Sequence, residues 1–328
     1  MIKGINKIGC LSFLLLMFLA CQEKNNNTQH QSTLENKNNF QYLYDNGSTK
    51  LNVEVKKVPQ KAVLFSHFMT EMLLALGLED KIVLGTTEGE ILPEFKKAYD
   101  KVPNKIIGHH AIMTKEAFLL LNPDFVSGWD EAVRAEATGT AEEIYSKGIY
   151  PFTVKSVRNN ETLDTVYEDF LTLGKIFAVE AKAEEVVNKM KDKLAKAQAS
   201  FVIKPENEKK KVLVFSSVEN GIYVSGGLTT DLIKRAGGKN VYEELGADHE
   251  LVSFESLIHR NPDIIFIAHM AEGLTYDQKV DFLKKHPALK NLPAVKTNNI
   301  HKIALEDISP GVRNTDFIIK MNQLMYAK

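Results

Sequence analysis

The chain is poor in cysteine, with only Cys10 and Cys21, so a disulfide framework is not what holds its fold. Nor is there an excess of either charge, since 41 Lys and Arg stand against 42 Asp and Glu for a formal net charge of −1. The basic footprint of a phosphate-backbone reader is therefore missing, and no nucleic-acid partner is expected. No apolar run reaches the roughly 18 residues needed to cross a membrane. Also absent are the Gly-x-Ser-x-Gly elbow, His-Glu-x-x-His and a phosphate loop, so the chain is read as a non-enzyme. What is present, 328 residues with 44% hydrophobic content, is enough for an ordinary packed core in two domains or one large one.

The first residues read as an address. Lys3 and Lys7 precede Leu11 to Ala20, apolar except for Ser12 and of secretory signal-peptide length. This run ends in Phe18-Leu19-Ala20-Cys21, which resembles the lipobox of bacterial lipoproteins, with Phe18 where Leu is usual. The resemblance implies cleavage before Cys21 and a lipid on it, hence a membrane-anchored protein of the cell envelope, outside the cytoplasm. The expected organisation is a signal peptide at 1–20, a flexible polar tether at 21–40, an N-terminal α/β lobe at 41–158, a connector helix at 159–204 and a C-terminal α/β lobe at 205–328.

Within the body, Tyr42 to Val55 reads as a hairpin turning at Asp45-Asn46-Gly47. The apolar run Ala62 to Phe65, a helix over Thr70 to Leu76 stopped by Gly77 and a strand over Lys81 to Leu84 imply parallel pairing through a helical crossover. Further on, a helix over Glu116 to Leu121 leads through Asn122-Pro123-Asp124 into the strand Phe125-Val126. The same unit recurs as Glu255 to Ile258, Asn261-Pro262-Asp263 and Ile264 to Ile267. Two distant copies indicate two similar lobes and not a solenoid. Between them, apolar residues from Leu163 to Leu194 keep helical spacing, and any break in this helix is expected near Gly174. The fold class is thus α/β: two lobes, each with a mostly parallel sheet flanked by helices, joined by one long connector helix.

Thr70-Glu71 with Ala75-Leu76-Gly77, the paired Asn-Pro-Asp units, Ala236-Gly237-Gly238-Lys239-Asn240-Val241 and Pro293-Ala294-Val295-Lys296 occur in a telling order. Together with the lipobox, they resemble the substrate-binding lipoproteins that serve ABC importers of iron–siderophore complexes, haem and vitamin B12. The resemblance implies a monomeric carrier without an intrinsic cofactor, which captures an iron complex and passes it to a permease dimer with its ATPase. It also implies one docking carboxylate per lobe, at Glu116 and Glu255. Each of these also opens a helix, where a negative charge is favourable in any case.

The ligand is expected outside the carboxyl ends of the strands. That rule selects Ser66, His67, Thr86, Thr87, Glu88, His109, His110 and Trp129 from the first half. From the second it selects Ser216, Ser217, Tyr223, His269, Met270, Glu306, Asp307, Ser309 and Arg313. Haem-binding members take ligands from the regions occupied here by His109, His110 and His269, which makes these the metal candidates, with Met113 and Met270 as soft alternatives. The same histidines also serve simply as hydrogen-bonding pocket residues. Trp129 is read as a wall that stacks on a flat ligand. Arg313 is read either as a clamp for a ligand carboxylate or hydroxamate, or as one half of a salt bridge across the rim. His249 has no strand-end position and is assigned no role. Vitamin B12 is an alternative cargo, and so is bare zinc or manganese held by His67, His109 or His110, His269 and Asp307. A secreted metal-dependent enzyme is the alternative outside transport.

Overall fold

The computed structural model describes residues 35–108, 113–270 and 273–326. The expected signal peptide, Cys21, most of the expected tether, His109 and His110 lie outside the described residues. In chain order the elements are β1 (Glu35–Asp45), β2 (Lys50–Lys57), β3 (Ala62–Leu64), α1 (His67–Ala75), β4 (Ile82–Thr87), α2 (Pro93–Tyr99), β5 (Asn104–Ile107), α3 (Lys115–Leu120), β6 (Phe125–Ser127), α4 (Ala141–Ser146) and β7 (Tyr150–Phe152). Two helices follow, α5 (Leu163–Ile176) and α6 (Glu180–Gln198). The second half holds β8 (Lys211–Val218), β9 (Ile222–Ser225), α7 (Gly227–Arg235), β10 (Lys239–Asn240), β11 (Asp248–Val252), α8 (Phe254–Arg260), β12 (Ile264–His269), α9 (Tyr276–Lys285), α10 (Pro293–Lys296), β13 (Ile300–Ala304) and α11 (Arg313–Tyr326).

The first sheet is wholly parallel, in the order β5-β4-β3-β6-β7. In the second, ordered β11-β9-β8-β12-β13 with β10 also pairing β8, the strands β8, β10, β12 and β13 run parallel while β9 pairs antiparallel with both β8 and β11. β1 and β2 form a separate hairpin, with Asp45 opposite Lys50 across the expected turn. β1 starts at Glu35, inside the stretch expected to be tether. There Glu35 is the strand partner of Lys57 on β2.

The repeated unit has a physical cause. Thr114 and Ser253 cap α3 and α8 by accepting hydrogen bonds from Ala117 N and Ser256 N, at 3.3 and 3.2 Å. Asn122 and Asn261 then adopt left-handed backbone, with φ of 48° and 53°, which asparagine tolerates and which ends each helix. Asp124 accepts from Lys61 N at 2.7 Å, and Asp263 accepts from Lys211 N at 2.9 Å. Each Asn-Pro-Asp therefore ties the end of one helix to the start of its lobe's first parallel strand.

The connector is two helices, α5 and α6, in place of the single helix expected, and the break falls near Gly174 but not on it. Ala178 has a φ of 54° and turns the chain between α5 and α6. Gly174 lies inside α5 and serves close packing, since a Cβ there would stand 2.6 Å from the Cβ of Ala183 on α6. One continuous core runs from the first sheet, through α5, α6 and α11, to one face of the second sheet at Val212, Val214, Ile264 and Phe266. The alternate residues Leu213, Phe215, Ile265 and Ile267 fill a second core on the opposite face. Two lobes that share a core are held close to one relative orientation.

Candidate ligand-binding site

A cavity of about 490 Å³ opens between the two sheets, lined by Trp129, Asp130 and Arg158 from the first half and by Tyr223, His249 and Met270 from the second, among others. Trp129 directly follows β6 and Gly128. A Cβ on Gly128 would stand 2.9 Å from the Cβ of Phe65, so only glycine lets the chain pass here. The Trp129 ring meets Phe68 edge-on, with centroids 4.8 Å apart. In the opposite wall Tyr223 stacks on His249 at 4.4 Å and 13°.

Of the expected pocket residues, Trp129, Tyr223, Ser216, Ser217, Met270 and Ser309 line this cavity. Ser66, His67, His269, Asp307 and Arg313 are not among its lining residues. Ser66 is instead the N-cap of α1, which places His67 on the helix and not in a loop. His67 is 1% exposed, and its Nε2 and Nδ1 lie 3.3 Å from Glu71 Oε1 and 2.6 Å from Glu306 Oε1. Burial opposes charge on the ring, but these two carboxylates outweigh it and raise His67 to about 9. Arg313 grips Glu71 with Nε on Oε2 at 2.7 Å and Nη2 on Oε1 at 2.6 Å. Against the opposing effect of burial, Arg313 and His67 hold Glu71 down at about 2. Arg313, His67, Glu71 and Glu306 thus form one buried cluster.

Asp307 accepts from its own turn, from Ala304 N at 3.1 Å, and burial pushes its carboxyl up. His269 ends β12 with its Nδ1 buried and without a hydrogen-bond partner, and burial together with Lys302 and Lys279 pushes its pKa down. Among the described residues no group of three or more His, Cys, Asp or Glu is placed to hold a metal ion. Glu116 and Glu255 are both exposed, in the first turns of α3 and α8.

The sequence reading missed His249, Arg158, Asp130 and Glu219. His249 stands out of line at a register shift in β11, with a φ of 70° and its Nδ1 3.2 Å from Ser216 Oγ. A bulge of this kind re-aims a side chain, and strained backbone of this kind gathers at functional sites. Arg158 follows β7, whose three residues include Pro151 and so gave no strand signal.

A strand-end cleft between two such lobes is the architecture of a binding protein, and residues 63–304 match the family model described as periplasmic binding protein. The chain belongs to that family. It is 25% identical over 266 residues, 80% of this chain and 78% of the other, to an uncharacterized ABC transporter substrate-binding lipoprotein, YvrC, of Bacillus subtilis (strain 168). It is 22% identical over 286 residues, 85% of this chain and 92% of the other, to a vitamin B12-binding protein of Vibrio parahaemolyticus. A solved periplasmic binding protein from Veillonella parvula superposes with a TM-score of 0.78 at 29% identity, over 88% of this chain and 98% of that one. This binding protein is the extracytoplasmic substrate-binding component of an ABC importer, working with permease and ATPase components, and is a transport component and not an enzyme. Its ligand is cargo, not an intrinsic cofactor. Among the described residues no helix is long and apolar enough to cross a membrane.

Proposed function

We propose that this protein is a lipid-anchored carrier that captures an iron complex, a siderophore chelate or haem, in the cleft between its lobes and hands it to a permease dimer. The supporting observation is the cavity of about 490 Å³ with Trp129 in one wall and the Tyr223–His249 stack in the other, a setting suited to a flat or bulky organic ligand. Closure is a shift of a few degrees, because the shared core and the two packed connector helices resist more. Glu116 and Glu255 dock the loaded protein, one carboxylate per lobe, and Cys21 carries the lipid. Vitamin B12 is the second reading, supported by the Vibrio relative and by Trp129. Bare zinc or manganese has lost a ligand, because His67 is engaged by Glu71 and Glu306.

Trp129 is the only tryptophan, so its fluorescence reports directly on the cleft. Titration of the purified protein with haemin, ferric siderophores and cyanocobalamin is expected to give saturable quenching by at least one of them, with a Kd of about 1 µM or tighter. Quenching by none would overturn the carrier reading. Membrane release of a Cys21→Ser variant tests the anchor.

A further inference from the structure

We propose that Asp169, buried in the connector, is a positioning residue for the cleft wall, through which acidification weakens ligand binding. This rests on the carrier reading above and concerns how the cleft is held in its binding shape. After β7 the chain makes a single helical turn, Lys155–Val157, and Val157, Arg158 and Asn159 line the cavity. The turn hangs from α5. Asp169 accepts from Lys155 N at 2.8 Å on one carboxylate oxygen, and from Ser156 N at 3.0 Å and the Ser156 hydroxyl on the other. At its far end the segment is fastened to the second half of the chain, where Asn160 N donates to Gly246 O at 2.8 Å, next to the cavity-lining Ala247. Three cavity residues therefore sit on a short span between two anchors, and one anchor is a buried carboxylate.

Asp169 is 4% exposed, and among the described residues no cation pairs with it. The turn, α6, α7 and β1 all pack on α5. From the turn, Lys155 faces Glu168 at 3.6 Å and Arg158 holds Asp130. Arg235 of α7 holds Asp164, Lys191 of α6 lies over the Tyr167 ring, and β1 presents the Phe40 ring to Lys175. The charge that acts on Asp169 is like-signed, from Glu161. Burial, with that neighbour, raises its carboxyl to about 6 against the three hydrogen bonds. An ionised carboxylate only accepts and takes all three donors, whereas a protonated one brings a donor of its own and holds the turn less well. A ligand resting on Val157, Arg158 and Asn159 favours the held turn and so the ionised Asp169. By reciprocity, protonation of Asp169 lowers ligand affinity. Protonation also removes the cost of a buried charge, so what loosens is the wall and not the fold.

The test is Trp129 quenching by haemin, ferrichrome and cyanocobalamin from pH 5 to 8, with Asp169→Asn run beside the wild type. Asparagine keeps the shape and one acceptor, and puts an amide donor where the protonated acid has its hydroxyl. For each probe that binds, the ratio of variant to wild-type Kd cancels the titration of the probe and of every other group. Ligand binding that lowers the Asp169 pKa by about one unit makes this ratio about tenfold at pH 8, falling toward one at pH 5. Ser156→Ala removes a donor to the ionised form and is expected to move the loss of affinity to higher pH than in the wild type. It serves as the test by itself where Asp169→Asn does not fold. A purely structural role gives a ratio that is flat with pH. That result, or a Ser156→Ala profile identical to the wild type, overturns the inference while leaving the carrier reading intact. Quenching by none of the three probes overturns both.

Discussion

Arg313 pairs with both carboxylate oxygens of Glu71, a residue 242 positions away in the chain. Their side chains are 13% and 3% exposed, and His67 and Glu306 complete the cluster. Removing one member of a buried pair strands the other's charge, which costs about 3–5 kcal/mol. Arg313→Ala is expected to lower stability by that amount in urea unfolding. Adding Glu71→Leu removes the stranded carboxylate, so the double variant is expected to recover part of the loss. A double variant no more stable than Arg313→Ala would mean that the pair does not act as a unit.

The same cluster sets a pH window. Glu71 falls from an ordinary 4.5 to about 2, so its contribution is present above 4.5 and is lost as pH falls toward 2. His67 rises from 6.5 to about 9, so its contribution is full below 6.5 and is lost as pH rises through 9. Both are complete only between those ordinary values. Asp169 works the other way. Burial raises it to about 6 against hydrogen bonds from Ser156 and Lys155, so it costs stability at neutral pH and the cost fades as pH falls through 6 toward 3.8. Urea midpoints from pH 5 to 9 are expected to peak near 5 to 6 and decline toward 9. A midpoint that rises between pH 7 and 9 would contradict the assignment for His67.

What was legible in the sequence was local. The Asn-Pro-Asp units could be read because Asn122 and Asn261 end helices by left-handed backbone and Asp124 and Asp263 cap strand starts, all within a few residues or one strand pairing. The hairpin turn and the helical connector are local in the same sense. His67 falls outside the helix expected over Thr70 to Leu76 because the apolar pattern begins later than the cap at Ser66 that starts the helix. The Arg313–Glu71 pair, the bulge that presents His249 and the arrival of Arg158 beside Asp130 are tertiary events, and no spacing rule encodes them.

Ala178 holds a φ of 54° between α5 and α6, where an L side chain costs about 1–2 kcal/mol relative to right-handed backbone. Glycine removes that cost but adds about 0.5–1 kcal/mol of unfolded-state entropy. Ala178→Gly is therefore expected to stabilise the protein by up to about 1 kcal/mol, read as a higher urea midpoint. A lower midpoint would mean that the methyl group's packing at the bend outweighs its backbone strain.

Glu116 and Glu255, the carboxylates proposed to dock, are placed alike by the repeated unit, each exposed and two residues after a side chain that caps its helix. Exposed large apolar residues follow one turn on, Leu119 at 36% and Ile258 at 38% exposed, so both lobes offer the same acid-and-aliphatic pattern. Losing a first-turn carboxylate from a helix costs about 0.3–1 kcal/mol, too little to unfold the protein. Rim charges act mainly on encounter and orientation. Glu116→Ala with Glu255→Ala is therefore expected to leave cleft affinity, measured by Trp129 quenching, unchanged while ligand import by cells falls to background. Each single variant is expected to cause a similar, partial loss, because the two positions are equivalent. Import at the wild-type rate by the double variant would reject Glu116 and Glu255 as the docking pair.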